Sequence, residues 1–502
     1  MNVKASHSMK ISILTAALAF LTFQPCAAQW SYDRTVRRNF WNDGTNVSGI
    51  RCDTAQISVA GISASYESGD FRTLSQSASE WNINANAKSI RHLDRYSMKG
   101  SFSFTDTEAK DMCGSMFLEP GFFPVDVFEF TPGRKTFQTY AMNGGIAVDL
   151  GQSWTAGVGL DFTARNVAKR KDLRYSAYRL DMMVNPSVIY SAEHIRWGGT
   201  LLFGRNTETI SAEQTGSAAT APFAFFDEGL ALGNWQVWTG NGSRLKESGV
   251  NGLPVRQNRY GASAQIATSD GTFYADAGFL WKDGSVGERQ VIWYRYNGPE
   301  AMADIGFRHG HSAFRAELSW SRLDNRETVQ DKVMEGGISI VREYGSNHIY
   351  SCADISIGLA YDYSSDKLNA TVSAAFNNLQ KQAAPIYPYV YTRQLKTAGL
   401  NIQAQYRHRS LEYGLMLGCS KGFATDNSRT VSEGGSSSTP FRHEDVWNDA
   451  DMFETAGRID AGATLSWNFV RGLSAVLSGD FSYAGNCGKS RYSITTGLYY
   501  IF

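Results

Sequence analysis

The chain is written in long runs where apolar and polar residues alternate one by one, a pattern that few folds can use. Tyr140, Met142, Gly144, Ile146 and Val148 alternate with polar or small residues, Gly151-Gln152-Ser153 turns the chain, and Trp154, Ala156, Val158, Leu160 and Phe162 resume the pattern. Between the latter lie Thr155, Gly157, Gly159, Asp161 and Thr163. A period of two belongs to a β-strand, whose side chains point to opposite faces in turn. The same strand-turn-strand unit recurs at 180–203, 260–281, 355–376, 400–419 and 459–483, with turns of Ser, Asp, Gly and Arg of the expected kinds. In the last run, 490–502, Tyr492, Ile494, Leu498, Tyr500 and Phe502 share one face and Arg491, Ser493, Thr495 and Gly497 the other.

Run length separates membrane from soluble β-structure. These runs hold about 10 to 14 residues, whereas globular strands most often hold about 5 to 6 and a tilted membrane strand needs about 9 to 11. Aromatic residues gather at run ends, as with Trp154 and Phe162 or Trp467 and Phe469, like girdles at two interfaces. The expectation is an all-β fold: a transmembrane antiparallel up-and-down β-barrel over residues 94–502, of about 18 strands, with 16 or 20 tolerable because 284–350 is ambiguous. The first strand is placed near Arg95. Short periplasmic turns are expected after residues 150, 191, 268, 364, 408 and 470, and long extracellular loops at roughly 107–136, 208–256, 380–395 and 422–454. An even count puts both termini in the periplasm. Residues 29–93, where 57–59 and 81–85 alternate weakly, are expected to add strands or a partial plug.

Composition agrees: 48 Gly, 24 Tyr, 28 Phe and 12 Trp against 11 Pro suit many strands joined by turns. Beyond the leader no run of about 18 apolar residues is present, which excludes a helical membrane bundle. Mean hydropathy of -0.31 is no objection, since a membrane barrel is half polar by construction. Met9-Lys10, the apolar run 11–23 and Gln24-Pro25-Cys26-Ala27-Ala28-Gln29 predict a signal peptide over 1–28, cleaved after Ala28. Phe23-Gln24-Pro25 is a poor lead-in for lipidation of Cys26. Cys52, Cys113, Cys352, Cys419 and Cys487 form no CxxC pair, and one or two bridges between loops stay open. Charge cancels at 48 against 48, which gives no reason to expect nucleic acid.

No catalytic signature is found, and no enzyme activity, cofactor or metal is expected. Gly485-Asn486-Cys487-Gly488-Lys489-Ser490 fails the phosphate-loop pattern, because Tyr483 stands where its first glycine belongs. His309-Gly310-His311 reads as a polar turn rather than a metal site. On the polar parity of their strands lie Asp161, Asp276, Arg315, Glu317, Asn401, Gln403, Gln405, Arg407, Arg458, Asp460, Asp480 and Arg491. Two roles are open for them: lining an aqueous path, or pairing across the interior to brace the barrel. Two loop regions are too apolar to stand in water: 116–137, with Phe122 and Phe123, and 223–238, with Phe225, Phe226, Trp235 and Trp238. They offer a partner surface or fold inward and constrict the pore. Arg165, Lys169, Arg170, Lys171 and Arg174 form a basic cluster just past a strand top, within reach of lipopolysaccharide phosphates or simply solvated.

The signal peptide ending at Ala28 before Gln29, the paired strands, the stretch Ala168-Lys169-Arg170-Lys171-Asp172-Leu173-Arg174 and the terminal Phe502 together resemble the outer-membrane β-barrel proteins of Bacteroidota, in particular an uncharacterised family of that group. The resemblance implies the outer membrane of a Gram-negative bacterium as location. It also implies a C-terminal aromatic strand read by the outer-membrane assembly machinery, with Phe502 as insertion signal. No TonB box or plug-domain pattern is evident, and the chain is too short for the large 22-stranded transporters. Two functions follow as expectations. One is a channel or uptake-related porin for small polar solutes. The other is a non-conducting barrel, accessory or anchor to a surface lipoprotein or transporter complex.

Overall fold

The computed structural model describes residues 32–33, 35–36, 39–171, 173–213, 223–237, 252–288, 291–385, 390–428, 443–470 and 472–502; the expected signal peptide and Trp238 lie outside them. The first strands are β1 (Ile57–Gly69), β2 (Ser79–His92), β3 (Tyr96–Ser115), β4 (Asp126–Asp149), β5 (Trp154–Lys169), β6 (Arg174–Ser191) and β7 (Ile195–Glu213). A hairpin of β8 (Phe223–Gly229) and β9 (Leu232–Val237) interrupts the series. There follow β10 (Gly252–Thr268), β11 (Phe273–Glu288), β12 (Val291–His309), β13 (Ser312–Glu335), β14 (Ile338–Ser364) and β15 (Leu368–Ala383). The last five are β16 (Tyr391–His408), β17 (Leu411–Ser428), β18 (Arg458–Val470), β19 (Leu473–Ala484) and β20 (Lys489–Ile501). Setting aside β8 and β9, 18 strands pair antiparallel in chain order, β7 pairs with β10, and β1 pairs with β20 to close the ring.

Alternation becomes inside and outside. Trp154, Val158 and Leu160 of β5, and Leu180, Met182 and Tyr190 of β6, stand exposed on the outer face. Their neighbours Asp161, Asp181 and Asn185 turn to the lumen. Aromatic pairs mark both edges of the apolar band: Trp154–Tyr190 at 4.9 Å and Tyr500–Phe502 at 4.7 Å near the short turns, Tyr66–Trp81 at 4.9 Å and Phe104–Tyr140 at 4.8 Å toward the other end. Tyr492 and Tyr500 stand eight residue steps apart on β20, roughly 21 Å of height at ~3.4 Å per residue and ~40° tilt, which matches a lipid-facing band. Among the described residues no helix is long and apolar enough to cross a membrane.

Several sequence expectations are corrected. The barrel begins at Ile57, not near Arg95, because β1 and β2 are ring strands whose outward Ile62, Trp81 and Ile83 stand among Ser, Ala and Asn. The connections expected at 107–136 and 380–395 are mostly strand: β3 runs to Ser115, β4 starts at Asp126, and β15 runs to Ala383. The ambiguous stretch holds β12 and the 24- and 27-residue strands β13 and β14, joined at Gly336-Gly337. Their far ends form an exposed ribbon carrying Met334, Ile338 and Tyr344. Cys52, Cys113, Cys352, Cys419 and Cys487 are all free, so no bridge joins the described loops.

The seam is where the ring is most sensitive. A Cβ on Gly61 of β1 would lie 2.0 Å from the ring of Tyr499, which packs inward with Val59 and Val476. Gly61→Val should evict that ring and destabilise the seam by about 1–3 kcal/mol. The expected outcome is a lower temperature at which the barrel loses its compact mobility in SDS gels; an unchanged temperature refutes this packing.

Candidate functional site: a plugged and lidded lumen

Residues 39–53 fold back into the barrel at its short-turn end. A helical turn, Phe40–Asp43, and a 3-10 helix, Val47–Cys52, are both started by an asparagine: Asn39 and Asn46 accept from the backbone N–H two residues on. Asn46 Nδ2 donates to Val188 O at 3.1 Å and Gln265 Oε1 at 3.0 Å. Thr45 Oγ1 donates to Asp276 Oδ2 at 3.0 Å, and Ser48 Oγ donates to Ser187 O at 3.0 Å. Arg51 pairs with Asp149 and donates to Leu93 O at 3.1 Å. Phe40 lies 5.0 Å from the guanidinium of Arg308 and 5.5 Å from that of Arg315.

Glycines make the seat. Gly145 and Gly159 stand directly opposite on β4 and β5, and Val47 sits over both: an added Cβ would meet its methyls at 2.6 and 2.5 Å. Gly306 similarly leaves room for the ring of Phe40. The plug therefore leans on β2–β7 and β10–β13, ten adjacent strands of the eighteen.

The long-loop end is covered from two directions. Loop 116–125 and the β8–β9 hairpin bend inward over a core that includes Met116, Phe123, Val127, Phe226, Tyr294 and Tyr350. β8 pairs with the start of β4 and touches β14 and β15, almost diametrically opposite in the ring. On the way Phe226 stacks on Tyr294 at 5.5 Å, and Tyr294 Oη donates to Glu228 Oε1 at 2.5 Å. The partner-surface expectation for Phe122, Phe123, Phe225 and Phe226 is thereby corrected. Phe225 and Phe226 are 1 % exposed, and Phe122 lies under the Arg179 guanidinium, 3.6 Å from its ring centre. The side chain of Trp235 lies outside the described residues. From the other side the helix His443–Thr455 caps the mouth, with Phe453 stacked on Phe71 at 4.7 Å and Arg393 bridging to Asp451 at 3.0 Å and Glu454 at 2.6 Å.

Between plug and lids the candidate lumen residues fall into three settings. Asp161, Asp276 and Arg315 belong to the plug side: Asp161 accepts from Asn143, Asp276 from Thr45 and Gln265, and Arg315 faces Phe40. Arg407 pairs with Glu412, and Arg491 with Glu67 and Ser77, while Arg458 bridges to Asp460 at 3.1 Å and Asp480 accepts from Ser493 at 3.1 Å. Glu317 is exposed to the interior and opens the third setting. Read across the register, Glu317, Gly358, Ala375, Gly399, Ser420 and Arg458 are successive direct partners from β13 to β18. All six point inward, and the four between the charges are small and partly exposed. Since strands tilt in a barrel, this row climbs the wall from the short-turn end to the long-loop end, over roughly 24 Å at ~4.8 Å per strand.

The plug residues and the row escape a reading of single strands. Thr45, Asn46 and Ser48 look like ordinary turn residues. The available signal was the inward glycines Gly145, Gly157, Gly159 and Gly198, clustered on β4, β5 and β7 where a wall of side chains was due. His309-Gly310-His311 is a turn, with Gly310 at φ 58°. No cluster of three or more metal-ligating groups is found among the described residues.

A family model described as "Family of unknown function (DUF6850)" matches residues 49–502. No curated protein matches the chain. Among solved structures it is similar to the FrpB iron transporter from Neisseria meningitidis (F3-3 variant), at 9 % identity over 90 % of this chain and 82 % of that one, with a TM-score of 0.43. It is also similar to the copper transporter OprC, at 8 % identity over 88 % and 80 %, TM-score 0.42, and to the CymD monoaromatic hydrocarbon channel, at 8 % over 91 % and 90 %, TM-score 0.29.

Two outcomes are expected of this site. Gly159→Val should unseat Val47, so that hydrogen exchange at residues 45–50 rises at least tenfold while the amides of β4 and β5 stay protected. In the lid, Asp126 and Asp227 face each other across the β4–β8 pair. Loss of water pushes the Asp126 carboxyl up to about 8 and the Asp227 carboxyl up to about 6. Raised carboxyl values favour the protonated form, so their support of the lid is full below about pH 4 and is lost as pH rises through those two values. Exchange at 116–125 and 223–229, corrected for intrinsic rate, should be slowest at acid pH, and Asp126→Asn with Asp227→Asn should flatten the dependence.

Proposed function

We propose that this chain, which belongs to the family of unknown function DUF6850, is an outer-membrane barrel of a Gram-negative bacterium of Bacteroidota type, and that it passes small polar solutes along one wall of its lumen. The short turns then face the periplasm, and the lids face outward. The observation that carries this is the ramp from Glu317 to Arg458, which lies on the side of the ring away from the plug's polar anchors. Small residues between its two ends leave the wall thin there. A carboxylate at the lower end and the buried Arg458–Asp460 ion pair at the upper give the path a polar character without a strong net charge. The helix His443–Thr455 sits over the upper end: a Cβ on Gly422 of β17 would lie 2.0 Å from Glu454 O. Arg393 is its fastening, and we assign the helix the role of gate. No catalytic role is assigned.

A second role is favoured by the β13–β14 ribbon, whose exposed Met334, Ile338 and Tyr344 offer a surface lipoprotein or transporter something to hold.

Conductance in a planar bilayer tests the channel. Wild type should show brief openings, Arg393→Ala should raise the open fraction severalfold, and Glu317→Lys should shift selectivity toward anions. Gly399→Phe, placed mid-ramp, should cut the unitary current by half or more. An inserted, SDS-resistant barrel that stays silent both as wild type and as Arg393→Ala would sink the channel and leave the ribbon as the place to seek a partner.

A further inference from the structure

We infer that Arg134, Arg170, Lys171 and Arg174 form a binding site for the phosphate groups of an outer-leaflet glycolipid. Strand parity divides the basic cluster seen in the sequence. Odd-numbered Arg165 and Lys169 of β5 point inward, where they pair with Glu119 and Glu129 and belong to the lid. Even-numbered Arg170 continues the outward face of β5, as Arg174 does for β6, and Arg134 of β4 joins them from a distant part of the sequence. With Lys171 they line an open recess of about 700 Å³.

All four are exposed. Lys171 Nζ donates to Pro132 O at 2.8 Å, which holds the turn, and Arg134 pairs with Glu108 of β3. The four cations gather at one recess of a chain whose total charge is zero, with Glu108 beside Arg134 and Glu213 directly opposite Arg174 on β7.

Height and direction identify the ligand. Tyr140 and Tyr178 are the uppermost exposed aromatics of β4 and β6, and Arg134 and Arg174 stand six and four residues above them. At ~3.4 Å per residue and ~40° tilt the cations lie roughly 10–16 Å above the girdle, in the headgroup layer rather than the hydrocarbon. Arg134, Arg170 and Arg174 stand on the outward parity of their strands, away from the lumen, so a solute in transit would not meet them. Between girdle and cations the outward side chains of β4, β5 and β6 are Thr136, Gln138, Asn166, Ala168 and Ser176, all uncharged, and four of them carry polar groups suited to sugar hydroxyls. A phosphorylated glycolipid supplies both chemistries at once, with arginine matched to phosphate oxygens.

The inference rests on the outer-membrane placement proposed above, which density-gradient fractionation of cells tests separately. Refolded protein in detergent is titrated with purified lipopolysaccharide, with the same material dephosphorylated, and with inorganic phosphate, and retained lipid is read by native mass spectrometry. Intact lipopolysaccharide should bind, and dephosphorylation should weaken it roughly tenfold or more. Arg134→Ala/Arg170→Ala/Lys171→Ala/Arg174→Ala should lose as much while keeping SDS resistance, and phosphate at low millimolar levels should not compete. Should the quadruple variant fail to fold, Arg170→Glu/Lys171→Glu, at the exposed turn, makes the same test. Equal binding of dephosphorylated material, or unchanged binding by the variants, overturns the site. Competition by micromolar phosphate assigns it to a soluble anion and overturns the lipid.

Discussion

Everything in this molecule depends on the pairing of β1 with β20. A backbone placed in apolar surroundings must satisfy each of its N–H and C=O groups from within the chain, and a sheet does this only when it has no edge. The seam supplies the last set of ladder bonds, from Gly69 opposite Arg491 to Val59 opposite Ile501, with Phe502 N donating to Ser58 O at 2.9 Å just beyond. Once the ring is closed, alternation has a fixed meaning: one parity meets lipid, the other the interior.

Closure creates its own difficulty. A ring of 18 strands is too wide for side chains alone to fill, unlike one of about eight. The chain fills it unevenly. On the β4–β7 side the wall is thinned to glycine so that backbone and short polar side chains of the plug can approach, and the contacts there are hydrogen bonds from Asn46 and Ser48 to strand atoms and from Asn185 to Thr45 O. On the β13–β18 side the wall is also thinned, by Gly358, Ala375 and Gly399, but the plug's anchoring bonds lie elsewhere. The same residue type thus makes a seat on one side and space on the other. Above the lipid band the inward parity changes character again, from Asn206 and Glu208 to Ile210 and Ala212 on β7, which gives the lid a hydrophobic floor.

This change of character explains what was legible in the sequence. Strand identity, hairpin pairing and facing follow from period-two patterning, because lipid selects one face strongly; the register that sets Met142 opposite Phe162 and Val148 opposite Ala156 is the one the alternation implies. Where the outward face is built largely of alanine, as at Ala60, Ala64, Ala85 and Ala87 of β1 and β2, the signal fades and the start of the barrel is misplaced. Aromatic loops are ambiguous for a different reason: composition says that Phe123, Phe225 and Phe226 leave water but not what covers them. The ramp and the plug seat are properties of neighbouring strands taken together, and no single stretch contains them. Parity could have divided Arg165 and Lys169 from Arg170 and Arg174, but only with the strand boundary in hand.

The short connection between plug and seam has a consequence for how the barrel behaves in time. Asp53 ends the plug and Ile57 begins β1, so the link reaches at most about 14 Å when fully stretched. A plug that lets go of Gly145 and Gly159 cannot diffuse away; it stays tethered at an effective concentration on the order of millimolar and recaptures its seat. Departure is therefore a flicker rather than a loss, and the interior behaves as a vessel with an attached stopper, which no dilution removes.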